Sequence, residues 1–161
     1  MNIFVLSECP VQAARWYCDK HCIKQILELS QILCAAYHCQ GIAAPYKLTH
    51  KNHPSTIFAR TSCLNFEWTI EHAKVLCDEY TARYNKRHAS QDVIEWCAKN
   101  SHDLSFDQYD QTDFAIAIAP EMKCRQVEGF EQMSAVEKYR WYYRLDKAHI
   151  LKYKRNRPDW L

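Results

Sequence analysis

Apolar residues recur at helical spacing along most of the chain. After Pro54 they alternate steps of four and three residues without interruption, which predicts a long helix packed along another helix. A second stripe predicts a long central helix over residues 10–38, with Pro10 in its first turn. The first stripe comprises Ala59, Cys63, Phe66, Ile70, Ala73, Cys77, Tyr80 and Tyr84, and the second comprises Cys22, Ile23, Ile26, Leu29, Ile32, Leu33, Ala36 and Tyr37.

The remaining segments complete a compact, single-domain, all-α bundle. Its other predicted elements, in chain order, are a short extended N-terminal segment (2–6), a loop (39–53), a short helix (90–99), an acidic irregular connection (100–120), a last helix (131–154) and a tail (155–161). The last helix is expected to turn Val136, Tyr139, Tyr143, Ile150 and Tyr153 inward, and the tail is expected to dock back through Trp160 and Leu161. With 161 residues and 48% hydrophobic content, we expect one core and one domain over 1–161.

Cysteine and glycine usage narrows the class of protein. The nine cysteines are odd in number and the first residues lack a secretory signal pattern, so reduced thiols in a cytoplasm are expected. Only Gly41 and Gly129 are present, which excludes a Walker loop or a dinucleotide fingerprint, and no cofactor is expected. Cys18 and Cys22 flank His21, but no C-x2-C pairs accompany them, so no metal is expected. No apolar run approaches the roughly 20 residues of a membrane span.

Charge is strongly polarised along the chain. Residues 138–157 carry eight basic residues against one acid with tyrosines and a tryptophan interleaved, whereas residues 90–137 carry ten acids against three bases. Basic side chains could bind a phosphate backbone while the aromatic rings between them stack on unpaired nucleobases. An amphipathic helix with a solvated basic face explains the same pattern. Opposite charges on the two segments also allow a homodimer. The candidate nucleic-acid contacts here are Arg140, Tyr143, Arg144 and Lys147.

Asp19 is the candidate catalytic acid. It precedes Ile23 and Ile26 by four and seven residues, which places a carboxylate on the core face of the first helix, with His21 beside it as a titratable partner. The alternative is a structural ion pair with Arg15, one turn back. Asp146 occupies a comparable inward position on the last helix, so the two acids are candidates for a shared pocket.

The segment THKNHPST (49–56) is a candidate anion site. It puts His50, Lys51 and His53 just before a helix start, where free backbone N–H groups and the helix dipole favour a phosphate. Arg60 lies about two turns further on and extends the site. In the alternative interpretation, Asn52 or Ser55 only caps the helix.

Arg83 and His88 form an R-x4-H spacing at the end of the second long helix. This spacing resembles the motif of HEPN-type ribonucleases, which are also all-α and act on RNA through the arginine and the histidine. The match covers two residues.

Several longer motifs carry a second resemblance. NIFVL at the start, CDKH at 18–21, HKNHPS at 50–55, LCDEYTARY at 76–84 and VEKYRWYYRLDKA at 136–148 resemble a family of small phage-associated proteins over almost the whole chain. At a greater distance the layout is similar to the phage-type pyrimidine dimer DNA glycosylases (endonuclease V-like).

The glycosylase resemblance implies specific roles. Asp19 would stand for the catalytic acid, which is a glutamate in that family, and His21 or Arg15 would line the pocket. The family's nucleophile is the α-amine exposed when Met1 is removed, and that removal ordinarily needs a small second residue. Asn2 is large, so either the amine of a retained Met1 acts or the lyase chemistry is absent.

The sequence therefore favours a phage-type protein of the host cytoplasm that binds nucleic acid, DNA rather than RNA, and acts as a base-excision enzyme of the glycosylase and lyase kind. A non-catalytic nucleic-acid or protein-binding module and an HEPN-like ribonuclease are the alternatives. No membrane partner is expected.

Overall fold

Six α-helices form the regular structure of the computed structural model, which describes residues 1–161. They are α1 (Pro10–Arg15), α2 (Asp19–Cys39), α3 (Pro54–Thr61), α4 (Cys63–Tyr84), α5 (Gln91–Lys99) and α6 (Ala135–Asp146). The connections contain four 3-10 turns and one isolated bridge between Ser62 and Gln108, and no strand forms. The predicted all-α fold class is confirmed.

Helix α2 lies at the centre of the core. It packs against α3, α4 and α5, and its inward residues Ile26, Leu29 and Leu33 are fully buried. The predicted N-terminal segment is also part of the core, because Ile3 to Leu6 are at most 4% exposed. Ile23 is a correction: its side chain is 44% exposed, since the buried face of this first turn runs through Cys22 and Ile26 instead.

The predicted helix over 10–38 is interrupted between α1 and α2. Cys18 adopts an extended conformation, and the turn before it leaves backbone carbonyls without intrahelical donors. The Arg83 guanidinium donates to two of them, 2.7 Å to Tyr17 O and 3.0 Å to Arg15 O. A buried cation from α4 therefore stabilises the break.

A second predicted helix is interrupted at Ser62, between α3 and α4. Ser62 is extended, and its side chain accepts from Asn65 N at 3.1 Å, which caps α4. The next amide, Cys63 N, donates to Gln108 O in the irregular connection. The stripe along α4 still faces inward at Phe66 and Ala73, as the spacing predicts.

The last helix is shorter than predicted. It begins after a capping box between Ser134 and Glu137 and ends at Asp146. The next residues leave the helix because their backbone binds the start of α2: Asp19 N donates to Lys152 O, and Lys154 N donates to the Asp19 carboxylate. Helix 131–154 is thus corrected to Ala135–Asp146 followed by a turn and an extended segment.

Other predicted elements agree with the structure. Helix α5 lies within one residue of its predicted bounds, and residues 104–120 form no helix. The tail docks back through Trp160, whose ring meets Trp16 edge to face at 5.8 Å. None of the helices combines the length and apolar character that crossing a membrane requires.

Candidate active site at the N-terminus

The α-amine of Met1 lies beside the buried carboxylate of Glu28. Its nitrogen is 3.4 Å from Glu28 Oε2, and the Glu28 side chain is 9% exposed. The Met1 side chain is only 3% exposed although the residue as a whole is half-buried, so the exposed part is its main chain. The amine is therefore held against a buried acid, and part of the Met1 main chain remains exposed.

Backbone and side-chain hydrogen bonds hold the N-terminal segment in this position. Asn2 N donates to the same Glu28 oxygen at 3.2 Å, and Ile3 N donates to Ser55 Oγ at 3.2 Å. Thr56 Oγ1 lies 3.6 Å from the Met1 sulfur. The first turn of α3 thus forms one wall of the site, because Pro54 starts the helix and directs the two hydroxyls at the N-terminus.

One face of α2 forms the opposite wall. His21, Lys24 and Glu28 stand at positions i, i+3 and i+7, so their side chains share that face. Lys24 Nζ lies 3.4 Å from Glu28 Oε1, which gives each carboxylate oxygen a cationic neighbour. Lys24 itself is 72% exposed and leaves the site positively charged at its rim.

His21 is held as a neutral imidazole in this wall. Its Nδ1 lies 2.6 Å from Tyr143 Oη, and its ring stacks on Phe4 with centroids 4.3 Å apart. Burial, followed by the charges of Lys147 and Lys24, lowers the pKa of His21 to about 3. Three of the predicted candidates, His21, Tyr143 and Lys147, are therefore neighbours.

The predicted anion loop borders the same site. Burial and then the charge of the N-terminal amine lower the pKa of His53, which places that ring near Met1. The cap of α3 is a correction: His53 Nδ1 accepts from Ser55 N, whereas Asn52 or Ser55 had been the expected caps. Arg60 donates to Lys51 O and thereby braces the loop. Lys51 and His50 are both exposed.

Asp19 is an ion-pair partner of Arg83. Its Oδ1 lies 3.1 Å from Arg83 Nη1 and accepts from Lys154 N at 3.1 Å. Arg15, the partner in the structural alternative, reaches this cluster only through its backbone carbonyl, which Arg83 binds. The ion-pair alternative thus holds for Asp19 with a different arginine.

Asp146 has a separate structural role. Its two oxygens accept from Lys123 N and Cys124 N at 2.8 and 3.0 Å, and these bonds lower the pKa of its carboxyl despite partial burial. The shared pocket proposed for the two acids is therefore not formed: Asp146 binds a turn of the irregular connection, and Asp19 binds α4 and the tail.

The other candidates on α6 hold the tail and the core. Arg140 stacks between the rings of Trp16 and Trp160 and donates to Leu6 O, and Arg144 donates twice to Trp160 O. Tyr143 is fully buried, so its ring has no surface to offer a base.

Lys147 differs from these arginines. Its ammonium lies 4.8 Å from the centre of the Tyr142 ring and close enough to His21 to act on its titration. It follows directly after α6 and is the basic candidate of this segment that lies near His21.

The two residues of the R-x4-H spacing, Arg83 and His88, each have a different structural role. The Arg83 side chain is 0% exposed and contacts Glu79 as well as Asp19. His88 Nε2 lies 3.2 Å from Ile23 O, and its Nδ1 accepts from Ser90 N. Both groups are occupied by partners within the fold.

Glu28 is a candidate functional residue that was not predicted from the sequence. It stands between Leu27 and Leu29 and is the single glutamate of α2. Because the family that the chain resembles uses a glutamate as its acid, this single glutamate was the signal that could have indicated it. The position of Asp19, four residues before Ile23, favoured the aspartate instead.

The cysteines lie outside this site. All nine have free thiols, and Cys18 and Cys22 are buried in the core, where burial raises the pKa of both. The His, Cys, Asp and Glu side chains form no cluster of three or more that would hold a metal ion.

An amine beside a carboxylate, with a neutral imidazole and lysines around it, can perform nucleophilic addition with proton transfer. The family model of pyrimidine dimer DNA glycosylases matches residues 1–92, which contain Met1, His21, Lys24 and Glu28. No curated protein and no solved structure matches the chain. Since the match covers more than half of its length, the chain belongs to the pyrimidine dimer DNA glycosylase family.

Proposed function

We propose that the protein excises damaged bases from DNA and cleaves the resulting abasic strand, with the Met1 α-amine as nucleophile and Glu28 as the acid and base. The observation that carries the proposal is the 3.4 Å contact between that amine and a buried carboxylate. An amine at the very end of a chain is normally mobile and exposed. Here it is fixed against a carboxylate that can take up its proton.

The chemistry requires a neutral amine and a proton acceptor. Glu28 accepts a proton from the amine, whose lone pair then attacks the sugar C1′ while the glycosidic C1′–N bond breaks and its electrons leave with the base. The departing base takes a proton from water or Glu28. A second amine proton is lost, the nitrogen lone pair opens the C1′–O4′ bond, and O4′ is protonated, which leaves a protonated imine. The Glu28 carboxylate, once its own proton has gone to the base or to O4′, removes a 2′ proton; a C2′–C3′ double bond forms as the C3′–O bond breaks and the 3′ phosphate leaves.

Met1 is assigned as the residue that supplies the amine. Asn2 is too large a second residue for efficient removal of Met1, and the Met1 side chain already fills a slot against Thr56. Asn2 N also lies 3.2 Å from Glu28 Oε2, so the carboxylate is within reach of either nitrogen. Intact mass of the active protein decides between the two.

The groups around the amine suit a flipped nucleotide of duplex DNA. Lys24, Lys51 and Lys147 are placed to meet phosphates, and His53 borders the amine from the loop before α3. His21 acts as a neutral hydrogen-bonding group, because an imidazole with a pKa of about 3 stays uncharged at working pH. Asp19 is not assigned a catalytic role, since its carboxylate is used by Arg83 and Lys154.

The test is borohydride trapping on matched duplexes that carry an ultraviolet-induced pyrimidine dimer, an abasic site or no damage. Borohydride reduces the imine to a stable amine, so we expect a covalent complex with the first two duplexes. Peptide mapping should place the adduct on the N-terminal peptide. Adducts on a lysine, or none on either damaged duplex, would contradict the proposal.

Glu28→Gln is the matching variant. It keeps the size of the side chain and removes its basicity, so we expect the rate of strand cleavage to fall by about 10²- to 10⁴-fold. Glu71→Gln is the control, because Glu71 is an exposed glutamate on α4. Equal rates for the two variants would exclude Glu28 as the acid and base.

A further inference from the structure

A buried hydrogen-bond network joins the N-terminus to the C-terminal part of the chain. Tyr139 Oη donates to Asn2 Oδ1 at 2.9 Å, and Asn2 Nδ2 donates to Ala117 O at 2.9 Å. The same hydroxyl lies 3.1 Å from Ala115 O and accepts from Ala117 N at 3.0 Å. Tyr139 is 0% exposed and Asn2 is 7% exposed, so the bond between their side chains is shielded from water.

This network fixes the residue next to the nucleophile. Only one peptide unit separates the Asn2 side chain from the Met1 amine, and the Asn2 main chain itself donates to Glu28. A displacement of about 1 Å of a reacting group can lower a rate by 10²-fold. The hydrogen bonds of the Asn2 side chain therefore determine whether the Met1 amine stays at contact distance from Glu28.

We propose that Tyr139 is a positioning residue for the Met1 amine and acts through the side chain of Asn2. The inference rests on the proposed function. It adds a contribution from outside residues 1–92, because Tyr139, Ala115 and Ala117 all lie beyond the segment that the family model matches.

Hydrogen bonds between uncharged side chains are well suited to positioning the amine. A charged anchor beside the amine would compete with it for Glu28, whereas a tyrosine hydroxyl and a carboxamide hold the backbone without adding charge to the site. Residues 2–5 also belong to no helix and no β-ladder. Their position thus depends on side chains such as Tyr139 and Ser55.

The experiment compares Tyr139→Phe with Tyr37→Phe. The control variant also removes one buried tyrosine hydroxyl, which donates to Cys97 O at 2.6 Å on the α5 side of the core. Two quantities are measured in each: hydrogen exchange of the N-terminal peptide without DNA, and the rate of borohydride-trapped complex formation at saturating abasic duplex.

We expect Tyr139→Phe to speed exchange of the first amides and to slow trapping, each on the order of 10-fold or more, with DNA affinity unchanged. Tyr37→Phe should change neither. If Tyr139→Phe does not fold, Asn2→Leu also removes the bond between Tyr139 and Asn2, together with the bond from Asn2 Nδ2 to Ala117 O, while keeping a large second residue, and the same results are expected.

The inference is overturned if exchange and trapping in Tyr139→Phe equal those of Tyr37→Phe, or if trapping is normal although the N-terminal amides exchange freely. Should the wild-type protein trap no complex at all, the proposed function fails. The exchange measurement then still decides whether Tyr139 fixes the N-terminus.

Discussion

Residues 1–99 and residues 100–161 contribute to the same site through different interactions. The first region supplies charges: Met1, Lys24 and Glu28 lie together, and Arg83 pairs with acids of its own region. The second region supplies mainly neutral contacts, with the Tyr139 hydroxyl on Asn2 and the Tyr143 hydroxyl on His21.

The comparison shows that the groups proposed to react and the groups that hold them in place come from different regions of the chain. The proton-transferring pair is contained in α2 and the N-terminus, whereas groups that add no charge hold it in place from α6 and residues 115–117. Neutral hydrogen bonds can fix a position without disturbing the charges they surround. Lys147 is the exception, because it brings a cation from the second region toward His21.

Removing the buried ion pairs of Arg83 in the first region should have the largest effect on stability. Arg83→Met removes a fully buried guanidinium and leaves Asp19, Glu79 and two backbone carbonyls without it. We expect a loss of about 3–5 kcal/mol in the free energy of unfolding, measured with urea.

Arg87→Met is the control for this loss. Arg87 also contacts two acids, but its side chain is 52% exposed, and ion pairs at the surface contribute little to stability, so we expect a much smaller loss. Equal losses for the two arginines would show that the break between α1 and α2 does not depend on the buried cation.

His21, which contacts Tyr143 of the second region, should make the free energy of unfolding depend on pH. The folded state holds the pKa of His21 at about 3 against an ordinary 6.5, so the unfolded state binds more protons below about pH 6.5. This group therefore lowers stability as pH falls from about 6.5 toward 3, by up to about 1.4 kcal/mol per pH unit.

His21→Gln should make the acid limb of the stability curve shallower, as measured by urea unfolding at several pH values. The exposed His102 provides the control, and His102→Gln should leave the slope unchanged. Burial also lowers the pKa of His72, to about 4, so part of the slope should remain in His21→Gln. An unchanged slope would show that Tyr143 does not hold His21 in its buried position.

The smallest expected effect concerns the charge that the second region contributes. Lys147→Ala should weaken binding to duplex DNA a few-fold and reduce the salt dependence by about one phosphate contact. Lys99→Ala, on the exposed face of α5, should do neither. Affinities measured between about 50 and 200 mM salt distinguish the two, and identical slopes would remove Lys147 from the DNA surface.

The sequence predicted the parts of the site that depend on local pattern. It singled out His21 on the first long helix and His53 just before the next one; His21 stacks on Phe4 of the N-terminal segment, and His53 lies close enough to the N-terminal amine to respond to its charge. It did not identify Glu28. A single exposed residue, Ile23, shifted the assumed inward face toward Asp19.

Helical periodicity is a property of neighbouring residues, so it was sufficient to predict the all-α class and the inward stripe of α4. The positions of the helix breaks and the groups that meet in the site depend on tertiary contacts. The break before α2 is stabilised by Arg83, 66 residues away from Tyr17, and the Met1 amine meets Glu28 through the folding of an extended segment onto α2 and α3. Such contacts depend on burial and on partners far apart in the chain, which no local spacing encodes.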